Sequence, residues 1–293
     1  MDVLLKLVNY SAHLNVPSNS LRNHSVPMNT AGGTDHVFVN GNLARSMLAV
    51  HVLVDGGTKA YVEQGLAWCD TLCDLQASTT SSRGRAAGYW GAGYGEPASC
   101  TARPLSGDCA AGGEIYLGDT GTAATVLGLC YKISSDAKQR ARYLDTMEKF
   151  ATFLLEGTAA APVNKKGTVG PNGFVHSATG AVGCGYYRCS TRTSESCSAV
   201  PGPAALHCPS LSPYTISTGT SGGAFFSELY AITRNATYAA VAEKAVAYLS
   251  SVALASGEVP YILDGANCTT AECPAKLAVG GPWPFDTISY VTE

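Results

Sequence analysis

Six side chains in this sequence could give or take protons at a substrate. Glu96, Asp119, Asp264 and Asp286 are the acids, and His176 and Tyr261 are the bases. Two carboxyl groups flanking an acetal oxygen can act as acid and as base or nucleophile. A histidine or tyrosine can instead remove a proton beside a carboxylate, while a second group neutralises that carboxylate. Glu96, in Tyr94-Gly95-Glu96-Pro97, has no helix to serve. Asp264 before Gly265 suits an Asx turn equally well. Asp119 and Asp286 each stand before a threonine at a helix opening, where they suit N-caps. His176 also reads as a solvated loop histidine. Glu96, His176, Tyr261 and Asp264 are therefore the catalytic candidates, while Asp119 and Asp286 are candidates for binding. No two of them are paired by spacing, so the elements that carry them must bring them together.

Those elements repeat. Gly41-Asn42-Leu43-Ala44, Gly121-Thr122-Ala123-Ala124 and Gly219-Thr220-Ser221-Gly222 each open a helix of small residues about four turns long. These helices run to turns at Asp55-Gly56-Gly57-Thr58, Ser134-Ser135-Asp136 and Thr233-Arg234-Asn235. A second helix then follows with an apolar residue every three or four positions. The three series are Val62, Leu66, Cys69, Cys73; Leu144, Met147, Ala151, Leu154; and Tyr238, Val241, Ala245, Tyr248, Val252. That period predicts one buried and one wet face, and the short turns predict antiparallel pairs. After each pair comes a long glycine- and aromatic-rich excursion holding Tyr89, Trp90 and Tyr94, then His176, Tyr186 and Tyr187, then Tyr261 and Asp264. A fourth unit opens at Trp283-Pro284-Phe285-Asp286-Thr287, and the first ten residues read as half of an earlier pair. Gly91, Gly93 and Gly95 follow no strand, so they form no dinucleotide loop. Gly222 and Gly223 predict a close helix contact.

Composition narrows the classes. Of 293 residues, 46% are hydrophobic and only 14% charged, with a net charge of −3. The apolar content excludes a disordered chain, and the missing basic surface argues against a nucleic-acid partner. No apolar run is long enough to span a membrane. Eleven cysteines and four N-x-S/T sequons (Asn9, Asn23, Asn235 and Asn267) point to an oxidising, secretory or extracellular setting. Cys100/Cys109, Cys184/Cys189, Cys197/Cys208 and Cys268/Cys273 are close neighbours in loop-like segments that a cross-link would hold. A zinc site built from Cys184, Cys189, Cys197, Cys208 and His207 lacks the tight pairs that structural zinc uses, so no metal and no cofactor is expected. Cys69 and Cys73 lie one helical turn apart, too far to bond each other; they read as core thiols or pair elsewhere. Cys130 reads as a buried small hydrophobe. Met1-Asp2-Val3 is an acidic start with no leader character, so secretion expects a leader outside this chain.

Helical hairpins with long aromatic loops, each new pair opening on Asp-Thr or Thr-Gly-Thr (Asp119-Thr120, Thr218-Gly219-Thr220, Asp286-Thr287), resemble the (α/α) toroids of the six-hairpin glycosidase-like superfamily. The likeness covers most of residues 41–293, and no subfamily motif is matched. It implies an all-α fold, a single domain over 1–293 forming about four of six hairpins of a ring, cut short at the C-terminus, with the N-terminus open to the same reading. It also implies a cleft for a poly- or oligosaccharide where the loops gather on one rim, with glycoside hydrolysis or uronate β-elimination as the chemistry. In such a cleft Tyr89, Trp90, Tyr94, Tyr186, Tyr187 and Trp283 would stack on sugar faces, beside Asp119 and Asp286. The alternative role for those aromatics is to plug the ends of the core. The alternative function is a non-catalytic carbohydrate-binding or scaffold protein of the same fold, which the scarcity of acids favours. Two other toroid classes would need a Cys/Cys/His zinc site or an aspartate-rich cluster, and the sequence shows neither.

Overall fold

A computed structural model describes residues 36–53, 59–76, 88, 90, 114–156, 173–183, 185–187, 214–253 and 259. The elements, in order, are α1 (His36–Leu53), α2 (Lys59–Leu75), β1 (Glu114–Tyr116), α3 (Leu117–Ile133), α4 (Ala137–Glu156), β2 (Gly185–Tyr187), α5 (Thr215–Ser217), a π-helical segment (Thr218–Ala224), α6 (Phe225–Thr233) and α7 (Ala236–Val252). The described chain is all-α in class, with one ribbon of two three-residue strands added. It holds three helix pairs: α1 with α2, α3 with α4, and the α5–π–α6 run with α7.

The turns expected at 134–136 and 233–235 are present. Asp136 Oδ1 accepts from Lys138 N at 2.7 Å and so caps α4. Asn235 Oδ1 accepts from Thr237 N at 3.0 Å and so caps α7. Arg234 takes the left-handed conformation (φ 60°) that ends α6. The turn expected at Asp55–Thr58 lies outside the described residues.

Each pair has one helix of small residues and one amphipathic helix. In α3 the buried positions run almost continuously, from Leu117 and Gly118 through Thr120–Ala124 to Val126–Gly128 and Cys130. In α4 the buried residues Tyr143, Met147, Phe150, Ala151 and Leu154 follow the helical period, while Glu148 and Lys149 face solvent. Burial follows the predicted series in α2 and α7 too: every position named for them is buried or half-buried. Phe150 joins the layers, its ring 5.0 Å from that of Phe225 and 5.3 Å from that of Trp90.

The small-residue helices pack on one another in parallel. A Cβ at Gly118 would stand 2.6 Å from Ile216 Cγ2. One at Gly121 would overlap Ser221 Oγ and stand 2.7 Å from the Ser221 backbone nitrogen. One at Gly128 would overlap the Glu228 side chain. Positions therefore advance together along α3 and the α5–π–α6 run. The amphipathic helices α2 and α4 also advance together, from Leu66 with Tyr143 to Gln76 with Thr146.

Three expectations are corrected. The helices begin at His36, Leu117 and Thr215, several residues before Gly41, Gly121 and Gly219; Gly41 and Gly121 lie inside their helices where the backbones of Ala123 and Ser221 approach. A π-helical segment replaces regular α-helix over Thr218–Ala224, with Phe225 N bonding back to Thr220 O. Cys130 is buried but is not a free thiol. It bonds Cys69 across the α2–α3 contact, with Cα atoms 6.6 Å apart, within disulfide reach. Of the two readings of Cys69, pairing elsewhere is the one observed; Cys73 stays a thiol. The four cysteine pairs expected in loops lie outside the described residues.

Two measurements check this packing. Gly121→Ala should destabilise by about 2–3 kcal/mol, while Gly223→Ala, where an added Cβ meets nothing nearer than 3.7 Å, should be neutral or slightly stabilising; urea midpoints read both. Cys130→Ala should cost roughly 3–4 kcal/mol, because the bridge closes a loop across 61 residues of sequence separation.

Candidate functional site

The end of the bundle where α3 and α5 begin is built from the described parts of two excursions. The first arrives as β1, which pairs antiparallel with β2 of the second: Glu114 with Tyr187, Ile115 with Tyr186, Tyr116 with Gly185. β1 runs directly into α3, so Asp119 falls in that helix's first turn. A carboxylate there is favoured by the unpaired N–H groups of the helix start.

The second excursion forms a tight hairpin over 173–183. Phe174 N donates to Leu154 O at 2.7 Å, tying it to the end of α4. His176 N donates to Ala181 O at 2.8 Å, and Val175 bridges Val182. Gly180 turns with φ 78° where a side chain would strike Lys244, whose Nζ donates to Ser177 O at 2.9 Å. On the other side Tyr214 N donates to Val182 O at 3.0 Å, and Val182 N donates to Thr218 Oγ1 at 2.9 Å. His176 is thus half-buried on a loop held by α4, α7 and the residues that flank α5.

Buried hydroxyls fasten this end. Thr220 Oγ1 lies 2.9 Å from Gly118 O and 3.0 Å from Ile216 O. Ser221 Oγ donates to Leu117 O. Sequence reasoning passed over Thr218, Thr220 and Ser221 as site-builders; the signal was present in the recurrence of Thr-Gly-Thr at 120–122 and 218–220.

The candidates divide as follows. Asp119 and the backbone of Tyr186 and Tyr187 share this end through the β1–β2 ribbon, and the His176 hairpin leads into β2. Asp119 is the third residue of α3 and not its N-cap, because the helix starts earlier than the Asp-Thr motif implied. Trp90 is a correction: it is 0% exposed, its Nε1 donates to Leu72 O at 2.7 Å, and its ring packs on Phe150. It plugs the core, the other role weighed for these aromatics, and has no face to offer a sugar. Tyr89, Tyr94, Glu96, Tyr261, Asp264, Trp283 and Asp286 lie outside the described residues. Among the described residues no set of His, Cys, Asp and Glu could hold a metal ion.

A second group of polar side chains lies along the α2–α4 seam. Arg142 pairs with Asp74 and, at 3.7 Å, with Asp70. Gln139 Nε2 donates to Asp70 Oδ2 at 2.9 Å, and the Tyr143 hydroxyl reaches Asp70 Oδ1 at 3.1 Å. Burial pushes the Cys73 thiol up to about 12. Burial, with the neighbouring Asp70 carboxylate, pushes the Tyr143 hydroxyl above its ordinary range. A thiol so protonated is no nucleophile at neutral pH, so the seam is a fastening.

The chain matches no protein-family model, and no curated protein matches it significantly. The geometry above therefore carries the functional reading.

The seam sets a pH dependence. Both shifts favour the protonated group in the folded state, so their stabilisation is complete below the thiol's ordinary value of 9.0 and is lost as pH climbs towards about 12. The urea midpoint should fall between about pH 8 and about pH 10.5, and Cys73→Ala should fall less steeply. Equal slopes would remove Cys73 from the account.

Proposed function

We propose that this chain is an extracellular, carbohydrate-active protein, a single-domain arc of an (α/α) toroid that takes a poly- or oligosaccharide at the end where its excursions meet. The chemistry is glycoside hydrolysis or uronate β-elimination. One observation supports this above the rest. The described parts of two excursions are joined by the β1–β2 ribbon beside the openings of α3 and α5, whereas among the described residues the opposite end carries the short turns at 134–136 and 234–235. Parallel small-residue helices with loops gathered at their N-terminal end suit a mouth lined by loop side chains, the usual place for function on a rigid scaffold. The Cys69–Cys130 bridge supports an oxidising setting. None of the described helices is long and apolar enough to cross a membrane.

For elimination, a neighbouring group neutralises the uronate carboxylate while His176 or Tyr261 takes the proton beside it; the electron pair left behind forms the new C=C bond as the β C–O bond to the glycosidic oxygen breaks, and that oxygen leaves protonated. For hydrolysis, Glu96 and Asp264 supply the two carboxyl groups. Asp119, Tyr186 and Tyr187 bind substrate from the ribbon side.

Carbohydrate binding without catalysis is the second reading, and the scarcity of acids supports it. The chain has 22 aspartates and glutamates, and several are engaged in structure. Asp70 and Asp74 pair with Arg142, Asp136 caps α4, Asp145 pairs with Lys149, and Glu228 pairs with Lys132.

Incubating the full chain with neutral and uronate-containing polysaccharides separates the readings. New reducing ends mark hydrolysis, and the ultraviolet absorbance of unsaturated uronides marks elimination. Removing the acting group should lower the rate by about 100-fold or more with binding kept: Glu96→Gln for hydrolysis, His176→Asn or Tyr261→Phe for elimination. Binding with no product establishes the second reading. Neither binding nor product across the panel overturns both.

A further inference from the structure

The turn between α6 and α7 holds the sequon Asn235-Ala236-Thr237 in a form that an added glycan would not disturb. Asn235 and Thr237 are both exposed. The Asn235 side chain caps α7 through its carbonyl oxygen, which accepts from the Thr237 backbone N–H at 3.0 Å. The cap thus uses neither the Asn235 amide nitrogen, where a glycan attaches, nor the Thr237 hydroxyl, which defines the sequon. The turn is firm: Asn235 N donates to Thr233 Oγ1 at 3.2 Å, Arg234 N donates to Tyr230 O at 2.8 Å, and the Arg234 guanidinium lies 5.7 Å from the Tyr230 ring centroid. It also lies away from the described parts of the first two excursions, the β1–β2 ribbon and the 173–183 hairpin. Because α3 and the α5–π–α6 run are parallel and in register, the 234–235 turn shares an end with the 134–136 turn, opposite the β1–β2 ribbon.

We infer that Asn235 is an N-glycan acceptor, and that its glycan stands on the closed end of the bundle, leaving the excursion end open to substrate. The inference rests on the extracellular reading above. In the transfer, the Asn235 amide nitrogen bonds to the anomeric carbon of a lipid-pyrophosphate-linked oligosaccharide. The bond from that carbon to the pyrophosphate oxygen breaks, the lipid pyrophosphate leaves with the electron pair, and one amide proton passes to a base of the transferase. The amide that results keeps its carbonyl oxygen, so the helix cap survives.

The test is expression of the full chain behind a cleavable leader in a eukaryotic secretory host. Site-mapped mass spectrometry follows enzymatic deglycosylation, which converts a glycosylated asparagine to aspartate. Asn235→Asp keeps a capping oxygen but is no acceptor. Thr237→Ala keeps the capping N–H but loses the hydroxyl, and Thr237→Ser keeps both. The expected result is modification at 235 in the wild type and in Thr237→Ser, and none in the other two. After deglycosylation all four should share one melting temperature within a few degrees, since each keeps a cap. An unmodified Asn235 in secreted protein whose Cys69–Cys130 bridge has formed overturns the inference and leaves the extracellular reading standing. The extracellular reading has its own check: in chain isolated from its natural source without reductant, freely labelled thiols at Cys69 and Cys130 overturn it.

Discussion

The close approach of α3 to the α5–π–α6 run is the contact on which the rest of the structure depends. It exists because positions 118 and 121 carry no side chain, so Ile216 and Ser221 come within contact of the α3 backbone. At that distance the hydroxyls of Thr220 and Ser221 reach the Gly118 and Leu117 carbonyls. Glycine inside a helix costs about 1 kcal/mol relative to alanine. Here that cost is offset by buried contact and by hydrogen bonds that a wider separation would forbid. The π-helical turn belongs to the same contact. Widening the helix over Thr218–Ala224 aims consecutive hydroxyls at one neighbouring helix, which a segment of small residues allows.

Once those helices are in register, their starts lie at one end, and so must the segments leading into them. β1 enters α3 and the 173–183 hairpin is bound to α5 through Val182, Tyr214 and Thr218, so two excursions distant in sequence become neighbours. The α2–α4 seam and the buried Cys69–Cys130 bridge between α2 and α3 act elsewhere in the bundle. They join the first two pairs through groups that stay protonated or paired at neutral pH, and so add rigidity without reactivity. The loop-rich end and the fastening face are thus kept apart by one scaffold.

Much of this was legible along the chain. The apolar period of the second helices, the polar turns at 134–136 and 233–235, and the small residues of α3 each follow from local chemistry, and burial matches them. The site was legible in part. Asp119 marked a helix opening, but its role there shifted from cap to first-turn acid because the helix extends back to Leu117. Trp90 shows the limit of reading an aromatic from its surroundings. Glycine-rich flanks imply a loop, yet such flanks also let a chain fold a large ring back into the core, where the Leu72 carbonyl takes its N–H. Thr220 and Ser221 look like ordinary helix-start residues until a partner helix supplies the carbonyls they reach.

Among the described residues, residue order alone determined that the three second helices form, which of their faces are apolar and where the chain reverses at 134–136 and 233–235, because each depends on neighbours within a few turns. Only the tertiary structure decided that Cys69 meets Cys130, that β1 pairs with β2, that Trp90 is buried and that the 218–224 turn widens. Each of these depends on a group many residues away, and closeness in space between distant segments is set by which faces can approach most nearly, a property of paired surfaces that no single stretch of sequence contains.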